Sequence, residues 1–212
     1  MNNLNKPSRK RPPTIKERIL EHIWLVFPMG ILAIIVVLAI VNYKPKALER
    51  FEITTGGIPL PPQKVGVTLP GTKFPNLGQK HIPEGQRVKY NSNPPTSGAH
   101  YQVPASWGIY SGEVPVDERL VHNLEHGGVI ISYKLELLGN DELEKLKAQV
   151  RSLSNINPRI ILVPRANLDS PIALTAWGYL EKLDKYEPSV IKTFYDHHIA
   201  RGPECQNGIC PS

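Results

Sequence analysis

In "VDERLVHNLEHGGVIISYK", residues 116–134, a helical pattern changes to the pattern of a strand, and this change indicates the class of fold. Apolar residues recur at helical spacing in the first half of this stretch, and two glycines that can end a helix follow them. These apolar residues are Val116, Leu120, Val121 and Leu124. Residues 129–134 then form a short apolar run, which is typical of a buried strand. A helix that leads directly into a strand predicts a domain in which helices pack on a sheet.

The segments that follow continue this alternation of helix and strand. Residues 140–153 carry an apolar stripe at helical spacing, with Asn140 as the expected cap. Residues 159–164 and 171–180 are predicted strands, and residues 188–200 are a predicted helix with a proline in its first turn. The order of these elements predicts an α+β fold with a small mixed sheet and packed helices.

A long proline-rich loop region, residues 81–115, precedes the first of these helices. The chain has 21 prolines in 212 residues, about twice the usual share of roughly 5%, and many lie between residues 59 and 115. One short strand is predicted in the loop region, at residues 87–90. We expect the region to be ordered rather than disordered, because it contains aromatic side chains that can be buried: Tyr90, Tyr101, Trp107 and Tyr110.

The N-terminal part of the chain predicts a membrane anchor. Residues 23–41 are an uncharged apolar run, and a helix of this length spans close to the ~30 Å hydrocarbon core of a bilayer. Six Lys and Arg lie in residues 1–22, so the positive-inside rule keeps this tail in the cytoplasm. A cleaved signal peptide is the alternative, with Val37 and Ala39 as a cleavage pattern.

The expected organisation has four parts. These are a basic cytoplasmic tail (1–22), one transmembrane helix (23–41), an extended stalk rich in Pro and Gly (42–80) and an extracytoplasmic globular domain (81–212). The excess of basic charge lies in the tail rather than on the globular domain, which argues against a nucleic-acid partner. The membrane is the expected partner, and a second partner in the cell envelope stays open.

The two cysteines fit an oxidising compartment. Cys205 and Cys210 lie near the C-terminus with "QNGI" between them, which allows a small disulfide loop. Their spacing matches neither a C-x-x-C redox motif nor a zinc knuckle. A structural disulfide is therefore favoured over two free thiols or a pair of metal ligands.

The segment "HNLEHGG", residues 122–128, matches the pattern H-x-x-E-H. At about 100° per residue, His122 and His126 lie near 240° and 280° from Val116, on a face turned away from the apolar stripe. The two imidazoles on this face are either exposed to solvent or directed at a group that lies over the helix. Two histidines four residues apart can chelate one metal ion.

Further imidazoles would be needed to complete such a site. His100, at the end of a stiff loop, is the first candidate, and His81 is the second. His22 is excluded because it lies at the boundary of the anchor. His197 and His198 are interpreted as structural, because histidines in the last turn of a helix interact favourably with the helix dipole.

Three stretches resemble the bacterial family named domain of unknown function 3105: "YNSNPPTSGAHY", "LVHNLEHGGVIISY" and "LTAWG". The resemblance covers roughly residues 75–205. The family pattern includes histidines that match His81, His100, His122 and His126, which implies that the segments carrying them belong together. The resemblance implies no activity, and the pair Cys205 and Cys210 is not part of its pattern.

A histidine site for zinc or copper is the favoured function, because imidazole ligands suit either metal. Met1 and Met29 are the only methionines, so the outer domain has no thioether-rich copper(I) site. Glu125 lies about 60° round the helix from His122. It is therefore predicted to accept a hydrogen bond beside the site rather than to bind the metal.

Two other functions stay open from the sequence. The first is a non-catalytic interaction module of the cell envelope that uses the aromatic loop at 81–115. The second, and less favoured, is a zinc-dependent hydrolase. In hydrolases with this motif a long helix presents it and a downstream acidic residue completes the site, whereas here the helix ends at Gly127 and Gly128. Whether the protein is an enzyme stays uncertain, and a non-catalytic role is favoured.

Overall fold

The computed structural model describes residues 14–16, 48–51, 68–206 and 208–211. All of these except 14–16 belong to the compact unit Lys46–Ser212. Within the described residues, no helix has both the length and the apolar character needed to cross a bilayer. The apolar run at 23–41, predicted as the anchor, lies outside the described residues.

The described part of the compact unit has an α+β fold, as predicted. Its strands are β1 (Glu49–Arg50), β2 (Thr72–Lys73), β3 (His81–Ile82), β4 (His100–Tyr101), β5 (Gly108–Ile109), β6 (Val129–Tyr133), β7 (Ile160–Pro164), β8 (Ile172–Ala176) and β9 (Tyr179–Leu183). From residue 68 onward its helices are α1 (Asp117–Glu125), α2 (Leu135–Leu138), α3 (Asn140–Ser154) and α4 (Pro188–His198).

Seven of the described strands form one mixed sheet, in the order β1-β5-β7-β6-β8-β9-β2. The strands β6 and β7 are parallel, whereas β6 and β8 are antiparallel. The segment 42–80, expected to be an extended stalk, contributes β1 and β2 to the two edges of this sheet. Its residues 42–47 and 52–67 lie outside the described residues. The sheet is larger than expected because two-residue strands are too short to show a period in the sequence.

Helices cover both faces of the sheet. Alternate residues of β6 and β7 belong to two different hydrophobic clusters, because successive side chains of a strand point to opposite faces. The first cluster contains the apolar stripes of α3 and α4, and the second contains Leu120 and Leu124 of α1. The apolar side of α1 therefore faces the sheet, and its histidine-bearing side faces the loop region at 81–115.

Three local predictions were wrong in detail. Residues 171–180 are not one strand, because Gly178 (φ 76°) allows a tight turn that separates β8 from β9. Residues 87–90 form no strand, because the Val88 N–H donates to the buried carboxylate of Glu118 instead of to a sheet. Asn140 does not cap α3, since the cap position is Gly139 and no side chain bonds there.

Candidate metal centre

Polar contacts, partly or fully buried, fix α1 in place beneath the loop region. The guanidinium of Arg165 donates to both carboxylate oxygens of Asp117, the first residue of the helix. The side chain of Asn123 bonds both the N–H and the carbonyl of Ala105, at 2.9 Å each. A buried side chain that satisfies both polar groups of one loop residue holds that loop against the helix.

Strands β3 and β4 bring two distant histidines together. They pair in parallel with His81 opposite His100, and the centroids of the two rings are 4.9 Å apart. The ring of His122 lies 5.1 Å from His81 and 4.9 Å from His100. Three imidazoles from three segments of the chain thus meet over α1.

Hydrogen bonds to carbonyl groups fix the orientation of two of these imidazoles. Nδ1 of His122 lies 2.6 Å from the carbonyl oxygen of Tyr101, and Nδ1 of His100 lies 2.8 Å from that of Gly98. A carbonyl oxygen can only accept, so each Nδ1 carries the proton and donates it. In the neutral rings each Nε2 then presents a lone pair, which is the arrangement typical of histidines that bind metals.

Glu125 faces these lone pairs rather than lying beside the site. Its Oε2 lies 2.8 Å from Nε2 of His100 and 3.8 Å from Nε2 of His81. Neither Nε2 of His100 nor Oε2 of Glu125 has a hydrogen-bond partner within the part of the chain that the structure describes. The other oxygen, Oε1, accepts a hydrogen bond from the amide of Gln79 at 2.9 Å.

The candidate ligand atoms fall into two groups that share Glu125. The first contains His81, His100, His122 and Glu125, and the second contains Glu125, His126 and Glu204. Within each group the ligand atoms lie within 4.8 Å of one another, a separation that one ion can span. The groups touch at His122 and His126, whose Nε2 atoms are 2.9 Å apart.

Burial sets the protonation of the two helix histidines. Burial lowers the pKa of His122 to about 4, although the hydrogen bond to Tyr101 acts in the opposite direction. Burial also lowers the pKa of His126, against the attraction of Glu204 and Glu125. Both imidazoles are therefore neutral at pH 7, which is the form that binds metals.

The segment after α4 places Glu204 over the end of α1. The Ala200 N–H donates to the carbonyl of Gly127 at 2.7 Å, and Gly202 packs so closely on Glu125 and Gly127 that a Cβ would collide with their backbone atoms. A disulfide joins Cys205 and Cys210 and closes the loop that follows. Oε2 of Glu204 lies 2.9 Å from Nε2 of His126.

The structure brings together the four histidines that the sequence selected. Of the two alternatives for the helix face that carries His122 and His126, it excludes the solvated one, because both side chains are buried and the loop region at 81–115 lies over this face. Two further histidines of the described residues lie apart from the centre: His198 is bonded to the carbonyl of Pro70, and His197 to that of Thr193.

The sequence interpretation missed two residues of the centre, Gln79 and Glu204. Both belong to segments without a helical or strand period, and neither matches a metal-binding motif. The only signal for Glu204 was its position beside Cys205, in a loop closed by a disulfide.

A comparison of the chain with family models finds a match over most of the compact unit. The model described as "Protein of unknown function (DUF3105)" matches residues 81–210, which include every candidate ligand. No curated protein and no solved structure matches the chain.

Proposed function

Because this chain belongs to the family described as "Protein of unknown function (DUF3105)", which assigns no activity, we propose a function from the geometry of its histidine centre. The protein binds a metal ion, zinc or copper, through His81, His100, His122 and Glu125. The observation that carries this proposal is the buried contact between His100 and Glu125, in which Nε2 of a neutral imidazole that donates through Nδ1 would face a carboxylate oxygen with its lone pair.

The charge of Glu125 supports a metal rather than an unoccupied polar cluster. Its side chain is 2% exposed, and its ion pairs within the described residues involve only histidines. A buried carboxylate without a compensating cation is costly, whereas a divalent ion that touches its oxygen stabilises it. The same ion would also use the lone pairs on Nε2 of His100 and His122.

The ligand set favours binding over catalysis. Three imidazoles and one carboxylate fill a tetrahedral shell, whereas a catalytic zinc keeps one position open for water. His81 is 46% exposed, so an ion can enter from its side without unfolding the centre. We assign no reaction to the protein.

The proposal is tested by the metal content of the purified full chain. After equilibration with zinc or copper and dialysis at neutral pH, the wild type should retain stoichiometric metal, and His100→Gln and His122→Gln should lose the ion of this group. The matched control is His197→Gln, because His197 lies outside the centre. A wild type that retains no more metal than His100→Gln would refute the proposal.

We also propose that the domain is held outside the cytoplasm by a single transmembrane helix at residues 23–41. The support is the uncharged run and the basic residues that precede it. Protease added to intact spheroplasts should digest the domain and spare the tail at 1–22. Protection of the domain until the membrane is permeabilised would contradict this orientation. A mature protein that lacks residues 1–39 would instead support a cleaved signal peptide.

A further inference from the structure

In the second group of ligand atoms, at the C-terminal end of α1, Glu125 is shared with the ion proposed above, whereas His126 and Glu204 are not used by it. We propose that this group binds a second divalent metal ion through Glu125, His126 and Glu204, so that the carboxylate of Glu125 bridges two ions. This inference rests on the proposed function, because the first ion occupies the group that contains His100.

The contacts of His126 are the first observation behind this proposal. Its Nε2 lies 2.9 Å from Nε2 of His122 and 2.9 Å from Oε2 of Glu204. Because His122 donates through Nδ1, its Nε2 offers only a lone pair. One N–H on His126 would thus have to serve two acceptors at once. An ion in each group removes this conflict, since each Nε2 then faces an ion of its own.

The two oxygens of Glu125 are the second observation. Oε2 of Glu125 is buried and has no hydrogen-bond partner among the described residues, and Oε1 accepts a hydrogen bond from the amide of Gln79. Each carboxylate oxygen has two acceptor sites, so both oxygens retain room for an ion. Two carboxylates, Glu125 and Glu204, also supply the negative charge that a second divalent ion requires.

The second group differs from the first in its access to water. The side chain of Glu204 is 38% exposed, whereas that of His100 is 0% exposed. Three protein ligands with an exposed side leave a coordination position for water. The second ion should therefore bind more weakly and exchange faster than the first.

The test is the number of zinc ions per full chain, measured by elemental analysis after dialysis at neutral pH. The wild type should retain two, and Glu204→Gln and His126→Gln should each retain one. Glu204→Gln changes only the charge of a partly exposed side chain, so the variant should fold. The control is Glu136→Gln, an exposed carboxylate of α2, which should retain two.

The bridge itself is tested with cobalt(II) in place of zinc. Two cobalt ions that share the carboxylate of Glu125 should be magnetically coupled, and this coupling should disappear in Glu204→Gln. Two uncoupled ions in the wild type would overturn the bridge.

The failure of this inference can be distinguished from the failure of the proposed function. One ion in both the wild type and Glu204→Gln overturns the second site and leaves the first intact. Two ions in both proteins also overturn it, because the second ion then binds elsewhere. A wild type without stoichiometric metal overturns the proposed function, and the second site falls with it.

Discussion

The Nε2 atom of His100 lies 2.8 Å from Oε2 of Glu125, and the two side chains are 0% and 2% exposed. The proton of the neutral imidazole is on Nδ1, where it is donated to the carbonyl of Gly98. With the imidazole in this neutral form, both facing atoms present lone pairs and repel each other when nothing lies between them. A metal ion bound by both atoms attracts both lone pairs, so attraction replaces this repulsion.

Replacing Glu125 by Gln should have opposite effects on stability with and without metal. In a chelator the amide can donate to Nε2 of His100, which removes a buried unpaired acceptor and raises the free energy of unfolding by about 1–3 kcal/mol. With zinc at a hundred times its Kd, binding raises the free energy of unfolding of the wild type by about 2.7 kcal/mol. The free energy of unfolding of the variant rises by less. Denaturant unfolding under both conditions measures the two differences. A change of the same sign in both conditions would contradict the interpretation, and Glu136→Gln should change neither.

Replacing Gly202 by Ala should release the segment that carries Glu204. A Cβ at this position would collide with the carbonyl oxygen of Glu125 and the N–H of Gly127, and backbone atoms cannot yield as a flexible side chain does. We expect a loss of about 1–3 kcal/mol in the free energy of unfolding and of one zinc ion per chain. Gly139→Ala is the control, because a Cβ there meets nothing within 4 Å, although the positive φ should cost ~1 kcal/mol. Unchanged zinc content in Gly202→Ala would refute the role of this contact.

The double variant Cys205→Ser and Cys210→Ser should be less stable than the wild type. The disulfide closes a loop with a sequence separation of 5, and a loop of this size stabilises by about 2 kcal/mol through the unfolded chain. Reductant should lower the free energy of unfolding of the wild type to that of the variant and leave the variant unchanged. The unreduced wild type should also be lighter than the reduced protein by two hydrogen atoms. Two alkylatable thiols in the unreduced protein would be inconsistent with this bond.

The stability of the protein should fall as the pH decreases from about 6.5 to about 4, in part because of His198. Burial lowers the pKa of His198 to about 4, whereas the imidazole of an unfolded chain titrates near 6.5. Between these values the unfolded state holds a proton that the folded state lacks, so acid favours unfolding. The loss of free energy of unfolding caused by His198 reaches about 3 kcal/mol near pH 4 and is absent above pH 6.5.

The variant His198→Gln isolates this effect. The amide can still donate to the carbonyl of Pro70, but it does not titrate. Measured in a chelator, the variant should lose less stability than the wild type between pH 6.5 and pH 4, although His122 titrates in the same window. His197→Gln should show the same pH dependence of stability as the wild type. An identical pH dependence in His198→Gln and the wild type would show that His198 is not the titrating group.

Much of the fold could be predicted because it depends on local periodicity. The apolar spacings of residues 116–124 and 140–153 correspond to α1 and α3, and the apolar run at 129–134 corresponds to β6. The two-residue strands could not be predicted, because their pairing depends on partners far along the chain. Thus β1 pairs with β5, although 57 residues separate Arg50 from Gly108 in sequence and none of the local residues requires it.

From the sequence alone it could be predicted which histidines would form the candidate site and that His122 and His126 share a face of one helix, because a spacing of four residues fixes the angle between side chains. The burial of this face could not be predicted, since it depends on the loop region and the C-terminal segment that cover it in the folded protein. The position of Glu125 also depends on the tertiary structure. An angle of about 60° on a helix suggests a residue beside the site, but the pairing of β3 with β4 places His100 within 2.8 Å of that carboxylate. Glu204 joins the centre through contacts with residues more than seventy positions away, which no local pattern of the sequence records.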